Sequence, residues 1–230
     1  MEFQRVSFRG GRQVEVGTVG PSDGRPVLYF HSPSTSGEEL ASAASAAAHA
    51  NVRLITIRRP SVAGDEPSEF VALVAKDAVT LIDALALTRT VLLAWSGGAP
   101  YGLAASGALG SAIDAVYLVS PVPGPLSGPD AVPNQSDRLQ QVANTTATSP
   151  WVTSDAALRD YQAVASPWKF NPATISARVT IWAPTKDEIV PPHLAQYLAS
   201  NLTDSVVLEV PGAHDWLIQN WSTVLERIAG

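Results

Sequence analysis

Apolar and polar residues alternate over Phe3–Phe8 and again over Gln13–Val19, with Gly10-Gly11 between the two runs. Period-two alternation around a glycine pair predicts a β-hairpin. Pro21-Ser22-Asp23-Gly24 then supplies turn chemistry. After it the pattern changes. Val27–Phe30, Val52–Ile57, Thr90–Trp95, Ala115–Val119, Val179–Trp182 and Val206–Val210 are short, nearly continuous apolar runs. Such runs predict strands buried on both faces. Helical segments fall between them: Glu38–Ala50, Glu69–Leu87, an Ala/Leu-rich stretch after Gly98, and a segment opening at Pro192, where proline suits a first turn. In Glu69–Leu87 the apolar residues Val71, Val74, Ala78, Leu81, Ile82 and Leu85 recur with a period near 3.6, so one face is buried. A final helix is expected over Asp215–Ile228, with Leu217, Trp221, Leu225 and Ile228 on one face. Strands that alternate with helices predict an α/β fold class, with a mostly parallel sheet and helices on both faces.

The alternation breaks at Ser120. From Pro121 to about Pro172 the chain is rich in Pro, Gly, Ser, Asn and Asp, with weak helical patterns at roughly Ser136–Asn144 and Asp155–Ala165. The expected organisation is a core of residues 1–120 and 173–230, interrupted by a small cap insertion at 121–172. Trp151 and Trp168 in the insertion are read as anchors onto the core, in preference to substrate contacts. A Pro/Gly loop is expected from Arg58 to Ser68.

A length of 230 residues with 46% hydrophobic composition suits one such domain. The net charge of −6 and the absence of a Lys/Arg run argue against nucleic acid as a partner. There is no cysteine, which excludes disulfides, thiolate catalysis and cysteine metal sites. No motif calls for a metal or an organic cofactor. The amino-terminal stretch lacks the apolar core of a secretory signal, and no apolar run approaches the roughly 20 residues of a membrane span. A cytoplasmic protein without membrane association is expected, with a small-molecule substrate and an open oligomeric state.

The candidate chemistry lies in V-L-L-A-W-S-G-G-A-P-Y-G-L-A-A-S, residues 91–106. A buried strand, a sharp turn at Ser96-Gly97-Gly98 and a helix put one hydroxyl at the tip of the turn, with backbone N–H groups aimed at whatever it attacks. A hydroxyl needs a base to take its proton, and the base needs a third group to orient it. The chain offers four histidines. His49 falls within an Ala-rich helix, His193 opens a helix beside two prolines, and His31 ends a strand and braces the loop after it. His214 follows the last strand at the same sheet edge as Ser96, so it is the best-placed base. Asp187 follows the preceding strand and is the candidate acid, with Glu188 adjacent to it as a rival. The strand ending at Ser120 carries no carboxylate at its tip.

With these residues the chain resembles the α/β-hydrolase family over nearly its whole length. It is most similar to small serine hydrolases with a G-W-S-G-G-G-P-Y-like elbow, which Ala94-Trp95-Ser96-Gly97-Gly98-Ala99-Pro100-Tyr101 matches apart from Ala94 and Ala99. His31-Ser32-Pro33-Ser34 corresponds to the family's H-G-x-P loop, and Arg58-Arg59-Pro60-Ser61-Val62-Ala63 to its D-R-P-G-x-G loop. The order serine, acid, histidine is the family's chain order. The resemblance implies an α/β-hydrolase fold, Ser96 as nucleophile, His214 as base, Asp187 as the acid that orients it, and a small cap. It also implies that the residue two after the loop histidine donates an N–H to the oxyanion. That residue is Pro33, which has none. Gly97 still offers one donor. An unreplaced second donor costs about 2.7–4 kcal/mol of transition-state stabilisation. Ser34 and the Ser32 hydroxyl are the nearest replacements. The second loop lacks the family's glycines and its aspartate.

The first expectation is therefore a serine hydrolase acting through an acyl-enzyme on an ester, thioester or lactone of a small apolar molecule. Ser32, Pro33, Ser34, Trp95 and Gly97 would contact the substrate. The alternative keeps the pocket but performs acyl transfer, cyclisation or C–C bond chemistry, with His214 as base on the substrate and Ser96 only positioning it. A third reading is a ligand-binding member without catalysis.

Overall fold

A computed structural model describes residues 1–59, 67–124 and 154–230. Eight strands form one sheet: β1 (Phe3–Ser7), β2 (Gln13–Val19), β3 (Arg25–Phe30), β4 (Val52–Arg58), β5 (Thr90–Trp95), β6 (Ile113–Val119), β7 (Arg178–Pro184) and β8 (Ser205–Val210). Their spatial order is β1-β2-β4-β3-β5-β6-β7-β8. The hairpin strand β2 pairs antiparallel with both β1 and β4, and β3 to β8 are mutually parallel. Each of the six apolar runs is one of the parallel strands. They read as continuous because the sheet is covered on both sides.

Alternate residues along each strand feed two separate cores. On one face Leu28, Phe30, Leu92, Ala94, Val116, Leu118 and Ile181 meet α2 (Pro67–Ala84), α3 (Ala99–Leu109), α4 (Ser154–Ala165) and α5 (Pro192–Ser200). On the other face Val27, Tyr29, Val91, Leu93, Trp95 and Trp182 meet α1 (Ala44–His49), α6 (Trp216–Gln219) and α7 (Trp221–Ala229). Among the described residues no helix is long and apolar enough to cross a membrane.

The helix expected over Glu69–Leu87 runs over Pro67–Ala84, and two other helices differ in kind from the sequence reading. The segment Glu38–Ala50 begins as a 3-10 helix, Glu38–Ala43, and becomes α-helical only at Ala44. Its first buried residues, Leu40 and Ala43, are three apart, a spacing that suits the tighter turn. The last helix is broken at Asn220, whose φ of −129° and ψ of 30° are not helical. The Asn220 amide donates to the carbonyl of Trp216 at 2.8 Å, an alternative to the helical ladder. The break lets α6 seat Trp216 and Leu217 while α7 separately buries Trp221, Val224, Leu225 and Ile228.

Within the expected insertion, α4 begins one residue before the helix read at Asp155–Ala165. Trp168 packs on the first core and stacks on Phe170, with ring centroids 4.9 Å apart. Trp151, the helix read at Ser136–Asn144, and Pro60, Ser61, Val62 and Ala63 of the second loop lie outside the described residues.

Candidate active site

The catalytic candidates stand at the carboxyl ends of three parallel strands. Ser96 directly follows β5, Asp187 follows β7, and His214 follows β8. Ser96 has a φ of 54°, the left-handed region that a non-glycine residue adopts at a cost of about 1–3 kcal/mol. The elbow is forced into it by close packing. Where Gly98 passes β3, a Cβ would lie 2.1 Å from the carbonyl oxygen of Phe30, so only glycine fits there. The next helix then begins with Ala99 and Pro100, and proline in the first turn gives up an N–H that has no helical acceptor.

The three side chains form one hydrogen-bonded line. Ser96 Oγ lies 2.9 Å from His214 Nε2, and His214 Nδ1 lies 2.9 Å from Asp187 Oδ2. The carboxylate only accepts, so Nδ1 carries the proton and Nε2 is left to accept from the serine hydroxyl. The second oxygen of Asp187, Oδ1, accepts the backbone N–H groups of Ile189 at 3.0 Å and Val190 at 2.8 Å. The acid is thereby fixed in the turn after β7, with its side chain fully buried. Glu188, the rival acid, is exposed. The imidazole of His214 keeps 16% exposure, and Ser96 only 4%.

The loop after β3 closes one side. Ser32 and Pro33 are buried, and a Cβ on Gly97 would stand 2.7 Å from Pro33 Cδ, so the proline ring lies directly against the residue after the serine. Gly97 is in the first turn of a 3-10 helix, where an N–H has no acceptor within the helix. Pro33 has no N–H to set beside it. The nearby serines are occupied with each other: the Ser32 and Ser34 hydroxyls are 3.0 Å apart, and the Ser34 N–H points to Ser32 Oγ at 3.5 Å. Trp95 is placed apart from the other four residues expected to contact substrate. It lies in the core on the opposite face of the sheet, 6% exposed, and its indole N–H donates to the carbonyl of His214 at 3.0 Å.

A second polar group escaped the sequence reading. Arg59, just after β4, donates through Nε to Asp160 Oδ2 on α4 at 2.6 Å, and both side chains are almost fully buried. Tyr101 donates its hydroxyl to Asp160 Oδ1, and the guanidinium lies over the Tyr101 ring, 4.6 Å from its centroid. Burial pushes the Asp160 carboxyl above its ordinary range, against the pull of Arg59. One turn along α4, Val164 would be 3.4 Å from a Cβ on Gly97. Asp160 and Val164 are thus successive contacts of α4 with Tyr101 and Gly97, themselves four residues apart. The signal available in the sequence was a charged residue on the apolar stripe of an amphipathic helix. Among the other histidines, His49 and His193 are exposed. His31 is buried and its Nδ1–H donates to the Ser32 carbonyl at 2.7 Å. Among the described residues no three His, Asp or Glu side chains stand together as a metal ligand set.

A serine hydroxyl on a strained turn, bonded to an imidazole whose other nitrogen meets a buried carboxylate, can deliver an alkoxide to a carbonyl carbon. A sequence model of the alpha/beta hydrolase family matches residues 28–227. No curated protein matches the sequence. Among solved structures, an esterase from Exiguobacterium antarcticum is similar with a TM-score of 0.80 at 15% identity, covering 99% of this chain and 98% of that one. The enol-lactonase from Burkholderia xenovorans is similar at 0.75 and 13% identity, covering 98% of each chain. A thermophilic esterase from Thermogutta terrifontis is similar at 0.72 and 14%, covering 99% of this chain and 97% of that one. At these identities the likeness establishes the fold.

Proposed function

Because the chain belongs to the alpha/beta hydrolase family, we propose that it is a serine hydrolase that cleaves an ester, thioester or lactone of a small apolar molecule. The observation that carries this reading is the unbroken line Ser96–His214–Asp187, with 2.9 Å at each step. His214 Nε2 takes the proton as Ser96 Oγ attacks the carbonyl carbon. Asp187 stabilises the imidazolium through Nδ1–H. The Gly97 N–H receives the developing oxyanion. The imidazolium then protonates the leaving oxygen or sulfur, and an acyl-enzyme remains. A water that loses its proton to His214 releases the acid and regenerates the serine. The apolar character of the substrate is supported by its neighbours at the elbow, Pro33, Val122 and Val164. The names of the similar structures, two esterases and a lactonase, support the choice of bond.

The test is intact mass after treatment with a fluorophosphonate. One adduct is expected on the native chain and none on Ser96→Ala or His214→Ala. Asp187→Asn should slow labelling by about 10⁴-fold, as the wrong imidazole tautomer is then favoured, and Glu188→Gln should leave it within about twofold. A folded native chain that takes no adduct would overturn the reading.

A further inference from the structure

The structure assigns Trp95, the residue before the nucleophile, as a positioning residue for His214: its indole N–H holds the carbonyl of the base and fixes the imidazole between Ser96 and Asp187. The inference rests on the serine-hydrolase reading for its kinetic consequence, though not for the geometry itself.

Strand geometry is the starting point. Neighbouring residues on β5 point to opposite faces, so a turn that raises Ser96 at the sheet edge sends Trp95 into the core beneath. That core is the one into which the last helices pack, and the histidine loop, residues 211–215, joins β8 to the first of them. The indole reaches the loop at one atom, the His214 carbonyl, 3.0 Å away. Its ring also lies beside the imidazole, with centroids 5.7 Å apart and planes inclined by 33°. The same residue therefore touches both the backbone and the ring of the base.

The loop also has backbone ties on either side of His214, among them the Ile218 N–H donating to the Asp215 carbonyl at 2.9 Å. Gly212 has a φ of 151°, and its Cα sits where a Cβ would be 2.5 Å from Trp216 Cδ1. The Gly212 carbonyl accepts the N–H of Lys186, at the start of the acid's turn, at 2.8 Å. The Ala213 carbonyl accepts the N–H of Trp216 at 3.0 Å. At His214 itself, the backbone carbonyl accepts the Trp95 indole N–H. Removing the donor frees the backbone of the base itself, between the ties at Ala213 and Asp215, and a base that wanders spends less time within reach of the serine proton.

Tryptophan at this position is also a packing residue, so a matched control is needed. Trp221 is buried in the same core, and its indole N–H donates to Ser42 Oγ at 2.9 Å, away from the site. Trp95→Phe and Trp221→Phe make the same chemical change in the same core, and only the first touches the base. Proton NMR of the His214 Nδ1–H, whose low-field signal is assigned by its loss in His214→Ala, reads the position of the imidazole without turnover. The expected result is that the signal shifts or broadens in Trp95→Phe and is unchanged in Trp221→Phe. In parallel, kcat on a p-nitrophenyl ester falls about tenfold at unchanged KM in Trp95→Phe, and stays within about twofold in Trp221→Phe. An unaltered Nδ1–H signal in folded Trp95→Phe overturns the inference, as does an equal change in both variants. If the native chain neither hydrolyses the ester nor reacts with the fluorophosphonate, the hydrolase reading fails, and the proton signal still decides the role of Trp95.

Discussion

At Pro33, on the proposed chemistry, the lack of a single N–H governs how well the site can hold an oxyanion. The ring of Pro33 lies against Gly97, and the Ser32 and Ser34 hydroxyls are bonded to one another. Alanine keeps the small apolar surface of proline here and adds an N–H. On the proposed chemistry, Pro33→Ala should raise kcat, since one oxyanion donor is worth roughly 10²–10³ in rate when well aimed. A gain of about tenfold or more, measured on a p-nitrophenyl ester, is the expected outcome. A rate unchanged within about twofold would mean that another group already fills the place. Trp95 shows the opposite relation at the same scale. It was expected among the residues that contact substrate, and the period-two strand places its indole N–H against the carbonyl of His214.

Among the elements, α4 is held to the core by a buried ion pair as well as by packing against α2. Arg59 and Asp160 gain from each other only because both are present. Removing one partner of such a pair leaves an unpaired buried charge, a loss of about 3–5 kcal/mol. Asp160→Ala should therefore lower unfolding free energy by about that amount in urea titration. It should also slow phosphonate labelling of Ser96, because Val164 on the same helix lies over Gly97. A stability loss below about 1 kcal/mol would show that the pair is solvated and that α4 is held by its apolar face alone. The helix α4 was legible from the sequence as a weak helical pattern over Asp155–Ala165. Its partner was not, because Arg59 and Asp160 are 101 residues apart and nothing local joins them.

Over the whole molecule, one buried histidine ties stability to pH. His31 is 3% exposed, and burial, followed by the charge of Arg59, holds its imidazole well below the ordinary value. The folded chain keeps it neutral where the unfolded chain would already take up a proton. Below the unfolded value of about 6.5, the unfolded state therefore binds more protons, and stability falls as pH falls, by up to about 1.4 kcal/mol per pH unit until the folded group titrates. Thermal unfolding followed from about pH 7 to pH 5 should show this decline, and His31→Gln, which does not titrate, should have a shallower one. Parallel curves for the two proteins would rule His31 out as its source.

Local order in the chain was enough to specify the elements. The six apolar runs became six parallel strands, because a strand covered on both faces must be apolar throughout. The alternating start became the antiparallel hairpin. Ser96, Asp187 and His214 were legible as candidates because parallel strands with helical crossovers bring all their carboxyl ends to one edge. Contacts between distant segments settled the rest. The choice of Asp187 over Glu188 follows from which carboxyl turns inward to the Ile189 and Val190 N–H groups. The break at Asn220 follows from two stretches that bury different faces. The place of Trp95 and the Arg59–Asp160 pair follow from how the helices lie on the sheet. Local pattern fixes which side of an element is apolar. Only the assembled chain fixes what that side meets.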